Sequence, residues 1–434
     1  MPSIIAPISA LLLSVAFLMV GHGMQMTIVP IRAEIELFSS TSIGVITSFF
    51  YVGFVGGTLL GPFLIVRAGH ARAFAAMISI SSAAALAHPL LPDTIAWSLA
   101  RGATGFCIAC NYLIIESWLN ERATNLTRGL VMSAYTIVVY ASIMVGQFSI
   151  AWFDISGFEA FVVSSIALSI AVVPVAMTRS AQPAPIAVVR FRPMRLYKTS
   201  PAAIVSVIID GFAVGALVSL LPLYASRIGM DSNLIPFFAG SLMLGGLLLQ
   251  YPLGRLSDKV DRRYMLIVGS LGTVATSLFI ALSGISNPFV LIGLVVLLGS
   301  LIQPLYAIAA AHAYDYGASD EMVETAAGIL LAYGLGSIFG PFVSSVAMDH
   351  FGPNALFIVV AVVLVFMIGF LVMRVLQRDT LPNAEKADYD LAASAPIGGV
   401  IPPDLYEGAN DYILVPDEYT AANSDLKKTL KDRE

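Results

Sequence analysis

A chain of 434 residues that is 58% hydrophobic and 12% charged, with a mean hydropathy of +0.85, carries far more apolar surface than a water-soluble core absorbs. Its formal net charge of −5 rests on the acidic segment after Arg378, which is no signature of a nucleic-acid partner. The two cysteines, Cys107 and Cys110, stand three apart in an apolar stretch, which excludes a disulfide framework and fits small packing residues.

Apolar runs bounded by polar or turn residues fall at 5–29, 42–66, 72–91, 94–119, 129–151, 157–178, 201–226, 234–256, 264–284, 287–312, 323–348 and 353–376. Each is long enough to cross a bilayer, which takes roughly 20 apolar residues as a helix. The expectation is therefore an all-α polytopic membrane protein of twelve spans. The first run has no basic start and exceeds the usual apolar stretch of a secretory signal, so it is read as a retained span. Spans 3 and 4 are divided only by the turn His88-Pro89-Leu90-Leu91-Pro92-Asp93.

The longest internal connection, 179–200, holds three prolines and five basic residues. It divides the body into 1–178 and 201–378, six spans each, with 379–434 as an acidic, disordered tail. A weak direct repeat at an offset of 192 agrees: Val29-Pro30-Ile31 and Leu221-Pro222-Leu223 end spans 1 and 7, and Gly53 matches Gly245. In the tail, Tyr412-Ile413-Leu414-Val415-Pro416 reads as an apolar patch in unstructured chain, or as a docking segment for a cytoplasmic partner. Lys and Arg set the orientation, because cytoplasmic loops retain them. With the N-terminus inside, the cytoplasmic connections hold nearly all of the basic residues and the external ones only Arg32 and Arg227, so both termini are expected in the cytoplasm. The setting is a cell inner membrane.

Between spans 8 and 9 stands Gly254-Arg255-Leu256-Ser257-Asp258-Lys259-Val260-Asp261-Arg262-Arg263. It resembles the G-x-x-x-D-[RK]-x-G-[RK]-[RK] loop of the major facilitator superfamily, with Asp261 at the place of the second glycine. The first copy, from Gly61 through Arg67 to Arg72, keeps glycines and arginines but has no aspartate, so the interdomain latch made by that residue is not carried over to this side. Arg101-Gly102-Ala103-Thr104-Gly105 is similar to the family's R-x-x-x-G motif of helix 4, and the stretch 116–129 looks like an uncharacterised bacterial branch. Span 5 ends in Val145-Gly146-Gln147, without the glycine-proline motif of the family's drug-proton antiporters. The resemblance covers 1–378 and implies two six-helix bundles with a central cavity lined by helices 1, 4, 7 and 10.

Charged groups in hydrocarbon cost at least ~2.5–3.5 kcal/mol, so each asks for a partner or a wet cavity. Asp210 lies nine residues into span 7, close to the midplane, where a carboxylate suits a residue that takes up and releases a proton. Arg101 stays charged and suits an anionic substrate group or an internal carboxylate; a pair with Asp210 is expected. His22 is a second candidate proton site or a packed histidine, and Gln25, Tyr112, Gln303 and Tyr306 fall on cavity helices as neutral hydrogen-bonding groups. Glu116 is expected to pair with Arg67 or Arg72, and Asp315 with Arg262. With Gly61, Gly254, Asp258 and Arg263 these form a set of conformational gate candidates.

The functional expectation is a secondary transporter of a small molecule, coupled to protons, working by alternating access. No G-x-x-x-x-G-K-[ST] is present to bind ATP phosphates, and no H-E-x-x-H or G-x-S-x-G supports a membrane-embedded enzyme. No cofactor or metal is expected. A transporter-like sensor signalling through the tail is the alternative.

Overall fold

The computed structural model describes residues 8–122, 128–177, 193–316 and 322–377. Twelve of its helices are long and apolar enough to cross a membrane. They are α1 (Ser9–Ile35), α2 (Ser40–Ala68), α3 (His70–Leu90), α4 (Thr94–Arg122), α5 (Arg128–Ser149), α6 (Glu159–Ile170), α7 (Pro201–Arg227), α8 (Ile235–Lys259), α9 (Arg262–Leu282), α10 (Pro288–Tyr316), α11 (Met322–Phe351) and α12 (Ala355–Gln377). The α6 span continues through the short helix Val172–Ala176, and a helical turn, Pro193–Thr199, precedes α7. The predicted tail, its apolar patch and most of the linker lie outside the described residues.

Helices α1 to α6 pack chiefly on one another, as do α7 to α12, and the two sets meet through α2 with α11, α5 with α8 and α1 with α7. Connections after odd-numbered helices gather at one end of the bundle, called here the odd end, and those after even-numbered helices at the even end.

Close packing in a bilayer relies on small residues, because lipid is as apolar as leucine and drives no association. A Cβ on Gly53 of α2 would fall on the Gly102 carbonyl of α4, and one on Gly245 of α8 on the Val296 carbonyl of α10. The two glycines matched at an offset of 192 thus make corresponding backbone contacts in the two halves. Gly53→Ala is expected to lower stability by about 1–3 kcal/mol through overpacking. Gly293→Ala in α10, whose Cβ would meet nothing within 4 Å, is expected to leave it unchanged; thermal unfolding in detergent compares the two.

Several predicted ends move. Pro30 and Pro222 do not end their helices: α1 continues to Ile35 and α7 to Arg227 with each proline inside. A proline removes one backbone donor, a loss that neighbouring helices and side chains make good in a membrane bundle. Between α3 and α4 the turn is shorter than the sequence suggests, since His88 and Pro89 are helical. Pro92 has no N–H to offer the His88 carbonyl, and the Trp97 indole donates to it instead at 2.9 Å. Asp93 then caps α4, accepting from the Ile95 and Ala96 amides at 2.9 Å each.

Candidate functional site

The helices expected to line the cavity bury several polar side chains, among them His22, Gln25, Arg101, Asp210 and Gln303. Asp210 is 1% exposed, and among the described residues neither carboxylate oxygen has a hydrogen-bond partner. It lies within electrostatic reach of Tyr306 and Tyr333, whose rings meet edge to face at 5.1 Å. Backbone contact brings these elements together: a Cβ on the adjacent Gly211 would strike the Tyr333 carbonyl of α11.

Arg101 is 4% exposed and does not pair with Asp210. Its guanidinium lies 4.7 Å from the centre of the Phe50 ring, and its Nη1 donates to Gln25 Oε1 at 3.4 Å. The expected deep ion pair is therefore absent in this state. The reason is geometric: Arg101 faces α1 and α2, whereas Asp210 faces tyrosines of α10 and α11. Gln25 is oriented by Ser164, which accepts from its Nε2 at 3.3 Å and donates to the Gly21 carbonyl at 2.9 Å. His22 stacks on the same Phe50 ring at 5.2 Å between centroids, and its Nδ1 is unpartnered.

Glu116 departs from its predicted gate pairing. Arg67 and Arg72 are exposed, whereas Glu116 is 5% exposed and its Oε1 accepts from Tyr135 at 3.4 Å. It is also within electrostatic reach of Tyr112 and Tyr306. The helix turns this carboxylate toward the bundle centre six residues before its end, out of reach of a loop arginine. Tyr306 thus stands in the field of two buried acids, Asp210 of α7 and Glu116 of α4. Tyr112 donates to Met19 Sδ at 3.1 Å, and Gln303 faces α8, its Nε2 3.5 Å from Met243 Sδ.

At the even end the structure brings Arg262 and Asp315 together. Arg262 donates from Nε to Oδ2 at 2.8 Å and from Nη2 to Oδ1 at 3.3 Å, while Nη1 reaches Ser257 at 3.1 Å and Asp258 at 3.2 Å. One guanidinium thereby ties α8, α9 and α10. Asp261, at the motif's second glycine position, caps α9 by accepting from the Arg263 amide at 2.9 Å. Burial works against its carboxylate, but the Arg263 hydrogen bonds outweigh this and hold the carboxyl below its usual range. Arg263 also donates to the Arg374 carbonyl of α12 at 3.1 Å. Gly254 is buried in the last turns of α8, and Gly61 packs α2 on Cys110 of α4.

The sequence reading missed the odd-end closure. Asp349, near the end of α11, accepts from the Ser40 amide at 3.1 Å and the Thr41 amide at 2.8 Å, placing a carboxylate on the N-terminus of α2. Arg227 of α7 bridges this Asp349 at 3.5 Å and Glu34 of α1 at 3.4 Å. Gly44 packs directly on Ser345 and Pro341, and Phe148 of α5 meets Phe237 of α8 at 5.0 Å. The two halves are thus latched at the odd end. Asp349→Ala is expected to speed alkylation of a Thr47→Cys reporter about fivefold, in a background with both native cysteines replaced by serine. That factor corresponds to loss of a helix-capping interaction of about 1 kcal/mol.

The family model for the Major Facilitator Superfamily matches residues 203–406. An uncharacterized MFS-type transporter, YcaD, of Escherichia fergusonii is 27% identical over 361 residues, covering 82% of this chain and 92% of its own. An uncharacterized MFS-type transporter of Yersinia pestis is 28% identical over 375 residues with the same coverage. In fold, the chain is similar to a mutant of the nucleoside transporter NupG, with a TM-score of 0.72 at 12% identity, covering 84% of this chain and 99% of that one. A bacterial homolog of the human lysosomal transporter Spinster, inward-facing and occupied, gives 0.69 at 12% identity, covering 86% and 98%. In sequence and in fold the chain is therefore similar to membrane transporters of the major facilitator superfamily, among them bacterial members that are themselves uncharacterised.

Proposed function

We propose that this protein moves a small solute across a bacterial inner membrane, coupled to protons, by rocking its two six-helix halves about a site near the middle of the bilayer. The observation that carries the coupling is Asp210, buried at the tenth of the 27 residues of α7 with neither carboxylate oxygen partnered among the described residues. A carboxylate there bears the full cost of a charge in hydrocarbon, and protonation removes it. Proton occupancy therefore alters how easily α7 moves against α10 and α11.

The odd-end latch supplies the second element of the reading. With the basic residues and termini on the cytoplasmic side, the odd end faces outward, so the state described is closed to the outside. Opening must break the Asp349 cap and the Arg227 bridges. The bundles 1–178 and 201–378 would be the moving bodies, joined by the linker 179–200. The test is counterflow and pH-gradient-driven uptake in proteoliposomes over a mixed metabolite panel, comparing wild type with Asp210→Asn.

A further inference from the structure

Among the described residues, Arg101 is a buried cation with no anion beside it. The titratable groups in its electrostatic reach are His22, His88 and Tyr51, on α1, α3 and α2, and none of these is an anion at neutral pH. Its contacts are one long bond to a neutral amide and the face of a phenyl ring. Its Nε is buried and unpartnered, and so is the Nδ1 of His22 across Phe50. A guanidinium cannot shed its proton to escape this cost, unlike a carboxylate or an imidazole. Partnerless charges in a bilayer interior are expensive, and a protein that retains one leaves room for an ion that completes it.

The surroundings have the features of a ligand site. A small cavity beside the guanidinium is lined by Gln25, Thr47, Phe50 and Tyr51 from the first half and by Val218 and Ser219 from the second. Tyr51 and Ser219 hydrogen-bond across that divide. A ligand held here is therefore gripped by both moving bodies, as alternating access requires. The guanidinium fork matches the two oxygens of a carboxylate, and the Phe50 ring beneath it leaves an apolar surface beside the charge.

We infer that the substrate is a small organic carboxylate, its anionic group held by Arg101 against Phe50. This rests on the transport reading above and names the class of solute moved.

The test uses the purified full-length chain in nanodiscs, with benzoate, lactate and glutamate as carboxylates and benzamide and benzylamine as neutral and cationic analogues of benzoate. Binding is read by calorimetry and by the shift in unfolding temperature. Expected is saturable binding of at least one carboxylate, none of benzamide or benzylamine, and a loss of about tenfold or more in Arg101→Gln, the size of one lost charge-assisted pair. Arg101→Lys keeps the charge without the fork and should fall between. Binding of benzamide or benzylamine as tight as that of benzoate, no binding of any carboxylate to wild type, or carboxylate binding unchanged in Arg101→Gln would each overturn the inference. The comparison of benzoate with benzamide needs no variant, so a misfolded mutant does not spoil it. The transport reading fails separately: pH-driven uptake of a non-carboxylate solute would sink this inference alone, whereas carboxylate binding without any flux would sink the transport reading.

Discussion

Asp210→Asn is expected to abolish uphill accumulation while leaving counterflow intact. A gradient of one pH unit can support about tenfold accumulation when one proton travels with each solute, since a factor of ten in concentration is about 1.4 kcal/mol. The asparagine keeps the size of the side chain and removes the titration, so the variant should only equilibrate its solute. The sign follows: wild-type uptake falls as the outside pH rises toward the inside pH, and the variant's uptake does not respond. The groups facing Asp210 are the phenols of Tyr306 and Tyr333, on α10 and α11, with Glu116 beyond Tyr306. Glu116→Gln is therefore the comparison that assigns the coupling. If it, and not Asp210→Asn, removes the pH response, the proton site lies on α4, and the assignment to α7 is wrong.

Arg262→Ala is expected to lower stability strongly. The Arg262 side chain is 0% exposed, and that of Asp315 is 3% exposed. Removing the guanidinium leaves Asp315 buried without its bidentate partner and takes the same donor from Ser257 and Asp258. Breaking a buried pair by deleting one member costs about 3–5 kcal/mol. Thermal unfolding in detergent should show the loss, and Arg262→Leu combined with Asp315→Leu should recover much of it. Equal destabilisation in the double variant would mean that packing, not the ion pair, holds the even ends of α8, α9 and α10.

Both predictions concern residues visible in the sequence, yet they were visible to different degrees. The pairing of Arg262 with Asp315 was legible because both sit at the same end of neighbouring spans, where geometry leaves few alternatives. Asp210 stood out for a similar reason, since an acid nine residues into an apolar run has few bland explanations. Glu116 was misplaced. Its position along α4 was right, but its direction around the helix was not readable from a span that is buried on most of its surface. The tyrosines that complete the centre, Tyr51, Tyr135 and Tyr333, were hidden among 16 of their kind.

The linear pattern of apolar runs was enough to put the chain in a membrane as twelve helices and to place most of them. Hydrocarbon admits only apolar helices whose backbone bonds are internal, so run length and polarity suffice. The sequence also carried the motif that points to the superfamily and the glycines where helices touch. Which way each buried polar side chain faces, and which of them meet, came from helix packing alone. It separated Arg101 from Asp210, turned Glu116 inward and set Asp349 on the end of α2. Those pairings join residues as far apart as 309 positions. They depend on the rotation of each helix about its axis, which a span apolar on nearly every face leaves unspecified until its neighbours pack against it.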